Sequence, residues 1–275
     1  MSVVAGRERA SLCCARVALN TPARGRSTSS LDARAGGSLQ YLENSALALR
    51  AAHYALARDG QDQQFLLFPM IHIGTPEYYS QVRLRLEACD AILFEGVKSW
   101  RVWVLTLSYS LVARRKRLGL VTQRDALSLK GLRARRVHAD LGSVEFDEQW
   151  SKIPWRFRIV VAICAPLYGT YLFLTATRES IGKRLSTDDV SSAAEEYDRD
   201  RFAPGLNEAM VGSRDKRLTE RIDSLVALPT PTKPGVVGVI YGAGHMRSVT
   251  DALMGKHRFK VVRSEWITVF DYAGV

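Results

Sequence analysis

Phe65-Leu66-Leu67-Phe68-Pro69-Met70-Ile71-His72, Ala91-Ile92-Leu93-Phe94-Glu95-Gly96 and Val236-Val237-Gly238-Val239-Ile240-Tyr241-Gly242-Ala243-Gly244-His245 share one pattern. Each is a short apolar run that ends in a chemically active side chain: His72, Glu95 or His245. Short apolar runs bounded by turn residues fit strands buried on both faces. In an open α/β sheet, ligands sit outside the carboxyl ends of the strands. The three side chains are therefore expected in one pocket.

Working outward, Pro76 opens a helix, Glu77 to about Ala88, with Thr75 as its N-cap. That makes a β-α-β unit ending at Glu95, and its short connections favour parallel strands. Toward the carboxyl terminus, Val236–Ile240 reads as a strand and Gly242-Ala243-Gly244 as a tight turn. A helix from Met246 to about Met254 and a strand within Phe259–Phe270 complete a second unit. The expected fold is α/β, with two β-α-β halves around a shared cleft and a helical insertion over about residues 100–200. His138-Ala139-Asp140 reads as the end of another strand, which makes it a further candidate for contact with the site. Apolar residues from Asn44 to Arg58 recur at helical spacing, which predicts a helix closed by Asp59-Gly60. Ala203 to Leu228 predicts a long amphipathic helix carrying Arg214, Asp215 and Arg221, stopped by Pro229, Pro231 and Pro234.

The 275 residues, 47% of them hydrophobic, suffice for a large core. Cys13, Cys14, Cys89 and Cys164 show no Cys-x-x-Cys spacing, which points to a reducing, intracellular compartment. Cys89 and Cys164 lie in apolar stretches and are expected to be buried thiols. The net charge of +11 is uneven: Arg114–Arg136 holds nine basic residues against Asp125 alone. Such a face suits an anionic membrane surface or an acidic partner, or is simply solvated. Nucleic acid is not expected, because no binding motif is present and aromatics do not interleave the basic residues. Residues 1–38 are rich in Arg and Ser, with six Arg against Glu8 and Asp32. That composition fits an organelle-targeting segment, an unstructured extension or an early start codon alike, and residues 39–275 then form the folded domain. Ile159 to Ala176 contains no charge and is bracketed by Arg156, Arg158 and Arg178. It reaches the lower length limit of a spanning helix, and with Pro166 and Gly169 inside it also suits a buried core helix or two shorter helices.

His72, Glu95 and His245 make an acceptable ligand set for a divalent metal, zinc first, with water in the fourth position. Without a metal, one histidine could act as general base on water, oriented by Glu95. Each residue also has a structural reading: His72 as a core histidine, Glu95 as the partner of an arginine. Gly242 and Gly244 offer backbone N–H groups to an anion at a helix start, although Arg247 interrupts a full dinucleotide fingerprint. Arg214 could hold a carboxylate or phosphate, or stabilise a developing oxyanion.

Four blocks carry a resemblance. They are Pro69 to Tyr79, Cys89 to Val97, Ser213-Arg214-Asp215 and Val239 to Met246, in that order. From about Phe65 to Phe270 the chain resembles the TraB/GumN/Tiki family. Gly242-x-x-His245 is similar to that family's second Gly-x-x-His motif, Glu95 to its glutamate, and Arg214-Asp215 to its Arg-Asp block. In the first motif His72 is kept, while Pro69 replaces the usual glycine. The wider superfamily includes metal-dependent proteases, erythromycin-esterase-like hydrolases and haem-binding ChaN-like proteins, and some TraB-like members sit in membranes. The resemblance implies a metal-dependent hydrolase, peptidase- or esterase-like, acting on a small molecule or peptide. His72, Glu95 and His245 would hold the metal. Glu95 and Arg214 would be catalytic, and Gly242, Gly244 and Arg214 would line the substrate site. The alternative is a non-catalytic, membrane-associated regulatory or binding protein.

Overall fold

The computed structural model describes residues 39–188, 207–229 and 232–273. The amino-terminal stretch 1–38 and the start of the helix expected from Ala203 lie outside these residues. The fold is mixed α/β. Nine strands are described: β1 (Leu42–Asn44), β2 (Ala48–Ala57), β3 (Gln64–Met70), β4 (Ile73–Gly74), β5 (Ala91–Phe94), β6 (Val121–Thr122), β7 (Arg135–His138), β8 (Val236–Gly242) and β9 (Lys260–Asp271). The helices that concern the site are α1 (Pro76–Leu86), α2 (Trp100–Leu105), α3 (Leu107–Ala113), α4 (Gln123–Ala126), α5 (Ser143–Lys152), α6 (Trp155–Thr175), α7 (Arg178–Asp188) and α8 (Ser213–Val226).

The main sheet is parallel through β3-β8-β5-β7, and β2 and β9 extend it in antiparallel fashion. β8 therefore lies between the two strands of the first β-α-β unit. That unit starts as its sequence predicts: the Thr75 hydroxyl accepts a bond from the Tyr78 N–H at 3.3 Å, with Pro76 at the first position. Gly238 in β8 faces α1 so closely that an added Cβ would stand 3.0 Å from Cys89 Sγ and 3.1 Å from Leu86 Cδ2.

Two expectations are corrected. Asn44–Arg58 is not a helix but the end of β1 followed by β2. β2 is flanked by β9 along its length, with β1 and β3 sharing its other edge. A strand covered on both faces needs no alternation, and Ala48, Leu49, Ala51, Ala52, Ala55 and Leu56 are all buried. The apolar spacing there records burial on both sides, not helical period. Cys164 is exposed on α6 rather than buried, whereas Cys89 is buried as expected, and burial pushes its thiol up to about 12.

His53 sits inside β2, 4% exposed, with neither ring nitrogen hydrogen-bonded and its ring edge-on to Phe68 at 5.0 Å. Burial first, and the nearby Arg85 charge second, lower its pKa to about 3 against the opposing charge of Glu265. Protonation therefore favours the unfolded chain. This contribution to stability is complete above about pH 6.5 and is lost as the pH falls toward 3. Between pH 7 and pH 5 the unfolding free energy should drop by about 2 kcal/mol from this group. Urea titrations at the two pH values should show the drop in the wild type and a much smaller one in His53→Leu; equal drops would assign the slope to other groups.

Candidate functional site

The site follows from three parallel strands ending level with one another. Phe94 in β5 is in register with Ile240 in β8 and with His138 in β7. The residues just beyond, Glu95, Asp140 and Gly242, therefore meet at one edge of the sheet. Gly96 turns the chain there with φ of 153°, a conformation side chains rarely adopt. Its N–H donates to Asp140 Oδ2 at 3.0 Å, and its carbonyl accepts from His138 Nε2 at 2.9 Å.

Two carboxylates at adjacent strand ends would repel each other, and Arg214 from α8 lies between them. Its Nε and Nη2 bind Asp140 Oδ1 and Oδ2 at 2.9 and 2.8 Å, and Nη2 also donates to Glu95 Oε2 at 3.3 Å. Nη1 reaches the Met210 carbonyl at 3.3 Å, so four of the five guanidinium N–H groups are committed. The Asp140 side chain is fully buried. Burial pushes its carboxyl upward, but the Arg214 hydrogen bonds and charge, with the Gly96 and Leu141 N–H groups, bring it below its ordinary value. On Arg214 burial acts to lower the pKa, and the Asp140 hydrogen bonds with the Glu95 and Asp140 charges overcome it, so the group stays charged. The guanidinium also lies over the Tyr241 ring, 5.6 Å from its centroid. Burial raises the Tyr241 hydroxyl well above its ordinary value; the Arg214 charge opposes this and the Asp140 and Glu95 charges add to it. The hydroxyl faces Asp140 without reaching hydrogen-bond geometry.

Asp215, next to Arg214 on α8, points to the other half of the site. His245 Nδ1 lies 2.6 Å from Asp215 Oδ1, and the Ser248 hydroxyl donates to Asp215 Oδ2. With a carboxylate as acceptor, Nδ1 carries the proton, a tautomer that leaves the lone pair of an uncharged ring on Nε2. Tyr241 meets the His245 ring edge to face at 4.9 Å. The imidazole edge that bears Nε2 comes near Glu95: the point where a Gly242 Cβ would stand is 3.5 Å from His245 Cδ2 and 3.6 Å from Glu95 Oε2. The Gly242 N–H donates to that same Glu95 oxygen at 3.2 Å. Gly242 thus offers its N–H to an anion, and the anion is the protein's own carboxylate. Gly244 is exposed in the turn Ala243–His245.

Of the residues singled out from the sequence, the fold gathers Glu95, Arg214, Gly242 and His245. His72 stands two residues past the end of β3. After Met70 the chain leaves the main sheet, and Ile73-Gly74 pairs with Val121-Thr122 in a separate two-stranded ladder. The Gln123 N–H donates to the His72 carbonyl at 2.9 Å. The His72 side chain is exposed, its ring 5.6 Å from that of Tyr109 on α3. Among the described residues, no three His, Cys, Asp or Glu side chains stand together in metal-holding geometry. Asp140 and Asp215 carry much of the site. The sequence signalled Asp140 only by its place at a strand end, and Asp215 by its place beside Arg214 in the block that carries the resemblance. Tyr241 and Ser248 carried no signal beyond lying near the glycine turn.

Comparison with family models, with curated proteins and with solved structures finds no match.

Removing one partner of a buried ion pair leaves the other charge stranded, at about 3–5 kcal/mol. Arg214→Met should therefore lower the unfolding free energy by about that amount. Arg214→Met with Asp140→Leu should recover part of the loss. Chemical denaturation of the two variants checks this; a double variant less stable than the single one would show that Asp140 has other essential partners.

Proposed function

We propose that this chain is a hydrolase of amide or ester bonds in which His245 takes the proton from the attacking water. The observation that carries this reading is the 2.6 Å hydrogen bond between Asp215 and His245 Nδ1. It fixes the imidazole's tautomer and orientation with Nε2 available as a base. Glu95, held by Gly242 and Arg214 next to that edge, supplies a second acceptor for the same water. The water oxygen forms the new bond to the carbonyl carbon, and its proton passes to Nε2. The C–N or C–O bond then breaks as the imidazolium returns the proton to the leaving amine or alkoxide. Arg214 serves as a positioning residue, since it binds Glu95 and Asp140 side by side. The resemblance to the TraB/GumN/Tiki family suggests the same reaction class.

A metal-assisted form of this reading asks more of the molecule. His72, whose ring lies beside Tyr109, would have to share the ion with Glu95 and His245. Glu95 would offer the ion its Oε1, since its bonds to Arg214 and Gly242 both run through Oε2. A bound zinc ion would make water more acidic and polarise the carbonyl.

The test is a panel of chromogenic esters and amino-acid anilides. His245→Ala should lower kcat by about 10²–10⁴-fold, and Asp215→Asn should lower it in the same direction. Unaltered rates in both variants would remove His245 from the reaction. Elemental analysis of wild type beside His72→Ala/His245→Ala separates the two forms. Zinc lost in the double variant supports the metal-assisted form, and activity that survives exhaustive chelation supports the direct one.

A further inference from the structure

α6 is 21 residues long and apolar, yet only 11% of its most apolar window is buried. Its inner side packs on the protein through Gly169 and Leu172. A Cβ on Gly169 would stand 2.9 Å from Leu111 Cδ1 and 3.1 Å from Ser108 Cα, so the helix approaches α3 closely. Its outer side exposes Trp155, Ile159, Val160, Ile163, Leu167 and Leu174. A contiguous apolar face of this kind marks a binding surface.

Both ends of α6 are fastened to the same folded unit. Before it, Ile153 is buried with Phe146 and Trp150 of α5 in a cluster that includes Val97 and Phe157. After it, Ala176 is buried and its carbonyl accepts from Arg115 Nη1 at 2.8 Å. Arg178 then donates to the Leu118 carbonyl at 2.7 Å and pairs with Asp271 on β9 at 2.8 Å. A helix this long could cross a bilayer core of about 30 Å. Crossing would put its two ends on opposite sides of the membrane, and both ends are held by one domain.

The charges name the occupant. No acidic residue lies between Trp155 and Ala176. Arg156 and Arg158 mark one end, and exposed Arg114, Lys116 and Arg117 stand at the other, beside Arg115 and its Ala176 contact. Arg101 lies over the Trp100 ring and Arg156 over the Trp155 ring, at 5.2 and 5.6 Å. Paired tryptophan and arginine side chains suit the headgroup level of a membrane. A second copy of the chain would bring like charges together at both ends of the face.

We propose that the outer face of α6 docks on an anionic lipid bilayer with the helix axis in the membrane plane. The apolar side chains enter the headgroup and acyl boundary, and the basic residues at either end meet lipid phosphate and carboxylate groups. The experiment is co-sedimentation of the full chain with phosphatidylcholine vesicles, with and without about 30% phosphatidylserine, over a salt series. Wild type should pellet with the anionic vesicles, less so as salt rises, and weakly with the neutral ones. Ile163→Glu/Leu167→Glu should abolish pelleting, and Leu84→Glu, at an exposed site on α1, should not. Arg114→Gln/Lys116→Gln/Arg117→Gln should weaken partitioning by about a hundredfold at low salt. Pelleting unchanged by the Ile163/Leu167 variant would overturn the proposal and leave attachment to the basic stretch before residue 39. So would wild type that stays in the supernatant, or cellular protein that resists carbonate extraction as a spanning helix does. A solution dimer dissociated by the same double variant would show that the face belongs to a second copy.

Discussion

The guanidinium of Arg214 does two jobs with one side chain. It neutralises Asp140 and Glu95, which the level ends of β7 and β5 bring together at the sheet edge. In doing so it fixes α8 against that edge. Successive residues on a helix point about 100° apart. When Arg214 is locked toward β5 and β7, Asp215 is turned toward the start of the helix that follows β8, where His245 stands. The orientation of the imidazole thus depends on an ion pair it does not touch. A lysine would supply charge at this place without the planar fork that binds Asp140 through two nitrogens.

The same geometry divides labour between the two carboxylates. Asp140 is fully buried and accepts from Arg214, Gly96 and Leu141, which makes it a structural anchor. Glu95 shares only one Arg214 contact and the Gly242 N–H, through a single oxygen, Oε2. Among the described residues its other oxygen has no such tie, and it is the one available to water or substrate.

The apolar helices are not remote from this edge. Val97 follows Gly96, Leu141 follows Asp140, and Met210 carries the carbonyl that Arg214 reaches; Leu141 belongs to a buried cluster against which Val97, Met210, and Val102, Phe157 and Val161 of α2 and α6 all pack. On another side, His72 meets Tyr109 of α3. α2, α5 and α6 therefore form a layer whose inner side supports the strand ends, while the outer side of α6 remains apolar. A change in how α6 is seated would be felt through Val97 and Leu141 within two residues of Glu95 and Asp140.

Much of this was written locally. The runs ending at Glu95 and Gly242 are short, apolar and bounded by glycine, so strands, their ends and the residues delivered there were legible from periodicity and turn chemistry alone. The Thr75-Pro76 start of α1 was legible for the same reason, and α6 was legible as a helix from its uncharged length. Three features were not. β2 looked helical because a strand buried on both faces loses its alternation, and that burial depends on core packing with segments far away in sequence. The seat of His72 beside Tyr109 rests on the pairing of Ile73-Gly74 with Val121-Thr122, a contact that no local pattern encodes. Glu95 had an arginine among its candidate partners, but its identity rested on the register of β5, β7 and β8 and on the rotation of α8. Sequence alone determined which segments could be strands and which side chains would stand at their ends, because those depend on neighbours along the chain. Tertiary structure decided which ends meet, which charge answers which, and which face of α6 is left uncovered, because those depend on packing between segments far apart in sequence.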